Sequence, residues 1–274
     1  MNKQRFEGYL LVTDMDGTLL NSNKEISPEN KQAIEMFVEH GGLFTLATGR
    51  ITSSVKRFAD QLPLNAPAIL YNGAIIHDFA TGVDVWQRTL GPSAGPILTR
   101  VMNRFPGVGV EIYCGSEPYF IRENQTTDHH RRVENFNRPV LDGFESLNEP
   151  WFKVLLAWDP ERLDEVQSFM EETEDEQVTW VRSEAKYFEM LPSDATKGHA
   201  LEHLVELTGI DMTKCMAMGD HLNDLEMIRR AGVGIAVANA HEALMSASNR
   251  SCCHHEEHAV ADVIAWLDRE VVSK

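Results

Sequence analysis

The chain has 274 residues, enough for one large domain or two modest ones. Apolar residues make up 43% and charged residues 24%, the balance of a folded chain rather than a disordered one. Acids outnumber bases by 42 to 25, and a net charge of −17 argues against general affinity for DNA, RNA or anionic membrane, which demand a clustered basic footprint.

Tyr9-Leu10-Leu11-Val12-Thr13 is a short apolar run that stops at Asp14-Met15-Asp16-Gly17-Thr18. Such a run suits a strand covered on both faces, as in a parallel sheet. Ser27-Pro28 predicts a helix start, with serine as cap and proline in the first turn. Ile34, Phe37 and Val38 follow at helical spacing, and Gly41-Gly42 ends the element. Leu43 to Ala47 reads as a second strand stopping at Thr48-Gly49-Arg50, followed by an amphipathic stretch with Val55, Phe58, Ala59 and Leu62. Ala68 to Tyr71 reads as a third strand, stopping at Asn72-Gly73. Strand and helix in alternation mark an α/β domain.

The rhythm changes near residue 84. Strand-like segments at 108–113, 154–158, 178–181 and 187–191 mix with loops, and an acidic helix is expected over 160–176. Alternation resumes after Pro192, with helices expected over 197–207, 222–231, 241–248 and 256–270 and strands over 215–218 and 233–237. The expected fold is α/β: a Rossmann-like parallel-sheet core, formed discontinuously by residues 1–83 and 191–274, with an inserted α+β domain over 84–190.

Chemistry is expected at the carboxyl ends of the strands, where open α/β sheets bind ligands. The first strand delivers Asp14 and Asp16, the second Thr48, and a later one Asp220. Carboxylates crowded on one spot repel one another. A cation relieves that repulsion, and an oxygen-only cluster selects magnesium over zinc. Each piece alone also has a plain structural reading. Asp-x-Asp-Gly-Thr can be a polar turn, Thr48-Gly49-Arg50 a strand-to-helix turn, and Gly219-Asp220 to Asn223-Asp224 a loop with a helix cap. Lys197 at a helix start is unusual, because the positive helix end repels a cation. The signal lies in the ordered set.

With Asp14-Met15-Asp16-Gly17-Thr18-Leu19, Thr48-Gly49-Arg50, Lys197-Gly198 and Gly219-Asp220-His221-Leu222-Asn223-Asp224 in order, the sequence resembles a haloacid-dehalogenase-like (HAD) phosphatase of the Cof type, subfamily IIB, with an α/β type-2 cap. Asn72-Gly73-Ala74 and Val237-Ala238-Asn239-Ala240 also match family habits. The likeness covers roughly residues 8–83 and 187–270, and the middle third resembles the family only in placement and size. The resemblance implies that Asp14 is the nucleophile, forming an aspartyl-phosphate. It implies that Asp16 gives a proton to the leaving oxygen and later takes one from water, its backbone carbonyl binding Mg2+. Thr48 would hold a phosphoryl oxygen. Lys197 would neutralise phosphate and steady Asp14, and Asp220 would bind the metal. Asn223 and Asp224 would orient the metal, its waters or Lys197. Backbone N–H groups near Met15, Gly49 and Asn72-Gly73 could complete an anion nest. Arg50 is open between contacting substrate and pairing with a structural carboxylate.

Other features invite separate readings. His221 lies between Asp220 and Asn223 but is expected to point away from the metal. Cys252-Cys253-His254-His255-Glu256-Glu257-His258 looks like a soft-metal site, yet a variable loop before the last helix is the simpler expectation. His129-His130-Arg131-Arg132 is expected on a solvated surface, with a phosphate clamp as the alternative, and the acidic run 171–176 on a solvated face. Cys114, Cys215, Cys252 and Cys253 show no CxxC spacing, which suits a reducing cytoplasm. No apolar stretch approaches the ~20 residues of a membrane span, and the N-terminus lacks a signal-peptide core.

The expected function is therefore an Mg2+-dependent phosphatase acting on a small phosphorylated metabolite, sugar phosphates first and phosphorylated cofactors next. No nucleic-acid or membrane partner is expected, and the chain would be a monomer or homodimer. A phosphomutase and a regulatory phosphate-binding protein that lost its chemistry are the alternatives. A nucleic-acid 3′-phosphatase is disfavoured by the charge and the cap.

Overall fold

A computed structural model describes residues 4–115, 117–172 and 176–272. Two compact units divide the chain, one of Met1–Trp86 with Thr196–Lys274 and one of Gln87–Ala195. In chain order the first unit opens with β1 (Leu10–Thr13), α1 (Pro28–Glu39), β2 (Leu43–Leu46), α2 (Thr52–Ala59), β3 (Ala68–Leu70), β4 (Ile75–Asp78) and β5 (Val83–Gln87). The second unit follows with α3 (Ala94–Arg104), β6 (Gly109–Tyr113), β7 (Pro118–Arg122), α4 (Gln125–Glu134), β8 (Lys153–Ala157), α5 (Pro160–Glu171), β9 (Val178–Glu184) and β10 (Tyr187–Pro192). The first unit resumes with α6 (Lys197–Thr208), β11 (Cys215–Gly219), α7 (Leu225–Arg230), β12 (Val233–Ala236), α8 (Glu242–Ala247), β13 (Arg250–Ser251) and α9 (Ala259–Val272).

The core sheet is parallel throughout, in the order β13-β12-β11-β1-β2. β1 is an interior strand, with Leu10 paired to Cys215 on one side and Leu43 on the other. Its residues are buried, as crossover helices on both faces require. Ser27 caps α1 by accepting from the Asn30 N–H at 3.2 Å, and Pro28 occupies the first turn. Ile34 and Phe37 are buried on α1, and Val260, Val263, Ile264 and Leu267 form the apolar stripe of α9, which packs against it.

The third expected strand runs parallel beside the sheet but is only loosely joined to it. β3 touches the parallel sheet through one bridge, Ala47 to Ile69, and otherwise pairs antiparallel with β4 in a separate sheet β3-β4-β5. Tyr71, Asn72 and Gly73 have φ of 53°, 57° and 108°, a left-handed run that turns the chain back on itself. The last helix starts at Ala259 rather than Glu256, because His255–Glu257 close a 3-10 turn and His258 takes φ 65°. The helix expected over 222–231 is a 3-10 turn, Leu222–Asp224, followed by α7.

The second unit is an antiparallel sheet, β7-β6-β8-β10-β9. One face packs α3 and α5 through Ile97, Leu98, Val101, Leu163, Val166 and Met170. Glu111 and Glu189 both sit opposite Leu155 and so share the other face. There Tyr113 donates to Glu111 at 2.8 Å, the Lys153 ammonium lies 3.2 Å from Glu189, and the Ser183 hydroxyl donates to Glu189 at 2.7 Å. The expectation of a solvated His129–Arg132 run holds only in part. His129 is exposed, but His130 lies 3.0 Å from buried Glu111 and Arg131 stacks over Phe120, because these two face the sheet from α4. α5 ends at Glu171, and Thr173, Glu174 and Asp175 of the acidic run lie outside the described residues.

Candidate active site

Asp14 follows β1 directly, and its backbone N–H donates to Met218 of β11 at 2.9 Å. Asp220 follows β11. Adjacent parallel strands therefore bring two carboxylates, 206 residues apart in sequence, to one edge of the sheet. Lys197 opens α6, where Thr196 is the cap. Its buried ammonium lies 2.7 Å from Asp14 Oδ1 and 2.6 Å from Asp224 Oδ1. These two ion pairs offset the unfavourable helix end that made the position conspicuous. The second oxygen of Asp224 accepts the Asp220 N–H at 3.0 Å and the His221 N–H at 3.2 Å. Asp224 is thus occupied on both oxygens and acts on its neighbours.

The electrostatics follow from burial. Burial pushes the Asp14 carboxyl well above the usual carboxylate range, against the opposing pull of Lys197, and Asp224 and Asp220 push the same way as burial. Burial, with Asp224 next, brings Asp220 up to about 7. Burial would lower the Lys197 ammonium, but Asp14 and Asp224 outweigh it and raise it. Asp14, Asp220 and Asp224 each offer an oxygen within 4.8 Å of the others, the one such cluster among the described residues. The site holds more negative charge than its single lysine balances.

The glycine-bearing loops pack into the same place. Thr48 is buried, and its hydroxyl accepts the Arg50 N–H at 3.2 Å. The Asn72 N–H donates to the Thr48 carbonyl at 3.0 Å, and the Asn72 side-chain oxygen accepts from the Asn223 amide at 3.0 Å. A β-carbon on Gly49 would fall 2.9 Å from that same oxygen. One on Gly73 would fall 2.2 Å from the Thr196 carbonyl oxygen and 2.8 Å from the Lys197 nitrogen. The turn at Gly73 is therefore what lets α6 start close enough for Lys197 to reach Asp14.

Arg50 pairs with Asp16, a carboxylate of the candidate site itself rather than a structural one. Its guanidinium meets Asp16 at 2.7 and 2.9 Å, and Lys24 adds a third contact at 2.6 Å. Burial would raise the Asp16 carboxyl, but Arg50 and Lys24 overcome it and hold it well below the usual range. Sequence reasoning did not find Lys24. Its only signal is a position in the Asn21-Ser22-Asn23-Lys24 turn that closes back on the first motif, with φ 59° at the lysine. His221 stacks edge-on with His241 at 6.2 Å and stands outside the carboxylate cluster. The Cys252–His258 segment likewise forms no metal-binding cluster among the described residues.

A sequence model described as haloacid dehalogenase-like hydrolase matches residues 11–264. The putative phosphatase YxeH of Bacillus subtilis is 31% identical, over 94% of this chain and 97% of that protein. The 5-amino-6-(5-phospho-D-ribitylamino)uracil phosphatase YwtE of the same organism is 30% identical, over 94% and 97%. The crystal structure of a haloacid dehalogenase-like hydrolase from Bacteroides thetaiotaomicron superposes with a TM-score of 0.83 at 27% identity, covering 94% of this chain and 99% of that one. The chain belongs to the haloacid dehalogenase-like hydrolase family, among its Cof-type phosphatases.

Proposed function

We propose that the chain is an Mg2+-dependent phosphatase that hydrolyses small phosphorylated metabolites through an aspartyl-phosphate on Asp14. The observation that carries this reading is the buried chain Asp14–Lys197–Asp224 beside Asp220: a carboxylate held by a fixed cation, in a cluster whose charge is still negative. The donors are hard oxygens with excess charge, which fits magnesium. Asp14, Asp220 and the Asp16 carbonyl would hold the ion, which as a Lewis acid stabilises charge on the phosphoryl oxygens.

The residues divide the remaining work. An Asp14 oxygen attacks phosphorus, the bond to the ester oxygen breaks, and the leaving oxygen takes a proton from Asp16. Water then attacks phosphorus in the acyl phosphate while Asp16 takes its proton, which restores Asp14 and frees phosphate. Asp16 must leave the hold of Arg50 and Lys24 to carry a proton, and the arriving phosphate dianion competes for those cations. The Thr48 hydroxyl and the Lys197 ammonium bind phosphoryl oxygens, where charge stabilisation and alignment dominate catalysis. Backbone N–H groups at Gly49 and Gly73 line the same nest. Asn223 acts through Asn72, and Asp224 through Lys197.

The inserted segment, residues 84–190 in the sequence reading, is assigned the role of a type-2 cap that excludes water and meets the organic part of the substrate. Sugar phosphates lead, with phosphorylated cofactors next. The name of the YwtE relative supports this class, since its substrate carries phosphate on a ribityl chain, a sugar-derived polyol. A cytoplasmic monomer or homodimer completes the reading.

Phosphate release from a panel of phosphorylated metabolites, with and without Mg2+, tests it against Asp14→Asn. Release that requires Mg2+ and vanishes in Asp14→Asn is expected. A native protein that binds panel compounds without releasing phosphate, or a variant that retains turnover, overturns it.

A further inference from the structure

The segment that resembled a metal site in the sequence does something else. His255 Nδ1 lies 2.8 Å from the Leu20 carbonyl oxygen. A carbonyl only accepts, so Nδ1 carries the proton and donates it. The His255 N–H donates to the Asn239 side-chain oxygen at 3.1 Å, and the Asn239 amide donates onward to the Gly17 carbonyl at 2.8 Å. Glu256 accepts the Ser22 N–H at 2.7 Å. Buried Asn30 donates to the Leu19 carbonyl at 3.3 Å and accepts the Ala261 N–H of α9 at 3.0 Å.

Four backbone groups between Gly17 and Ser22 are thus taken up, directly or through Asn30, by the C-terminal segment. These groups follow immediately on Asp14 and Asp16, in a stretch of turns without a regular ladder of its own. The stretch also touches Asp220, because a β-carbon on Gly17 would fall 2.3 Å from Asp220 Oδ2. A displacement of this loop would therefore move the Asp16 carbonyl and its approach to Asp220 together.

We propose that Asn239 and residues 254–258, with His255 at the centre, form a strap that positions the loop behind the nucleophile. His255 is a positioning residue acting through Leu20. The inference rests on the phosphatase reading for its kinetic consequence only; the mechanical claim stands on the hydrogen bonds.

The test compares the native chain with His255→Leu and His255→Asn. Asparagine places an N–H donor on Cγ, where Nδ1 stands, and leucine removes the donor at similar bulk. Turnover of p-nitrophenyl phosphate with Mg2+ and amide hydrogen exchange over residues 15–22 are both measured. His255→Leu is expected to lower kcat by about tenfold or more with KM nearly unchanged, since small misalignments of reacting groups are costly. It is also expected to speed exchange over residues 15–22 selectively, and His255→Asn should recover most of both effects. Native kcat and native exchange in His255→Leu overturn the strap, as does a loss that asparagine does not recover. Should His255→Leu not fold, Glu256→Ala at an exposed position keeps the test open, and unchanged exchange over 15–22 in that variant overturns the proposal. Should the native chain hydrolyse nothing, the phosphatase reading fails while exchange still decides the strap.

Discussion

Arg50 holds Asp16 by both carboxylate oxygens, Nε to Oδ2 at 2.7 Å and Nη2 to Oδ1 at 2.9 Å, while Lys24 shares Oδ1 at 2.6 Å. The two cations are unequal. The Arg50 side chain is 15% exposed and that of Lys24 is 53% exposed, so water screens the lysine contact more. Removing Lys24 should let the Asp16 carboxyl of the free enzyme rise, and the limb of the pH–kcat/KM profile governed by Asp16 should move to higher pH. In Lys24→Met a shift of roughly half a unit to one unit is expected, consistent with a screened ion pair. Kinetic profiles of the two proteins on one substrate check this, and coincident limbs would show that Lys24 does not reach Asp16 in solution.

Lys197 is the least replaceable cation in the site. Lys197→Met leaves Asp14 and Asp224 buried without their partner. Turnover should fall by about 10²–10³ or more, the scale of losing one fixed charge-stabilising donor. Stability should fall by about 3–5 kcal/mol where both carboxylates are ionised. The sign of its pH dependence follows. Without the ammonium, the buried Asp14 carboxyl takes a proton more readily, so acid relieves the repulsion and the loss should be smaller near about pH 5 than near about pH 8. Denaturant melts of the two proteins at both pH values measure it. An equal loss at both would mean that packing, not charge, sets the cost.

The parts of this site legible in the sequence are those where one strand end or helix start fixes a side chain. Asp14, Thr48 and Asp220 follow strands whose apolar runs are unmistakable, and Lys197 sits where a cation is electrostatically wrong for a lone helix. What escaped was set by tertiary partners or by backbone conformation. The grip of Lys24 on Asp16 needs a turn with φ 59° that no composition announces. The reversal at Tyr71 depends on a non-glycine residue held left-handed, so the apolar Ala68–Tyr71 run gave no sign of the antiparallel pairing with β4 that accompanies its parallel bridge to Ala47. In the second unit, α4 has a weak apolar pattern, Gln125 to Glu134, because its inward groups include His130, which meets Glu111, and Arg131, which stacks over Phe120. The His and Cys letters of Cys252–His258 suggested metal ligation, whereas their role is read only from where their backbone and rings point.

Gly73 is the steric keystone of the site. Its φ of 108° already disfavours any side chain, and the Thr196 carbonyl would stand 2.2 Å from a β-carbon. Backbone cannot yield as a flexible side-chain tip can. Gly73→Ala should therefore destabilise the chain by about 2 kcal/mol or more and pull Lys197 away from Asp14, lowering kcat beyond the loss in folded fraction. Gly82→Ala is the control, since φ is also positive there, 72°, but nothing stands within 4 Å. The control should lose some stability through backbone strain alone and keep its kcat. Equal kinetic damage in both variants would remove the steric link between Gly73 and Lys197.

Asp220 ties stability to pH and to metal together. Its carboxyl rises from 3.8 to about 7, led by burial and then by Asp224. A folded-state pKa above the unfolded one means that the native chain binds more protons between those values. Stability of the metal-free protein from this group is therefore greatest below about pH 4, declines as pH rises to about 7 and is level beyond. Burial moves Asp14 the same way and adds to the decline. On the proposed reading magnesium should reverse the sign, because it would bind the ionised carboxylates and stabilise the fold by mass action. Thermal melts in chelator should thus show Tm falling between about pH 5 and about pH 8, with millimolar Mg2+ restoring it mainly at the upper end. Below about pH 7 the apparent Mg2+ affinity should weaken by up to about tenfold per unit as protons compete for Asp220. Asp220→Asn should make the chelator curve shallower, leaving the part due to Asp14, and weaken the Mg2+ effect. A Tm in chelator that rises over the same interval would mean that Asp220 is ionised in the metal-free chain and that Lys197 already balances the cluster.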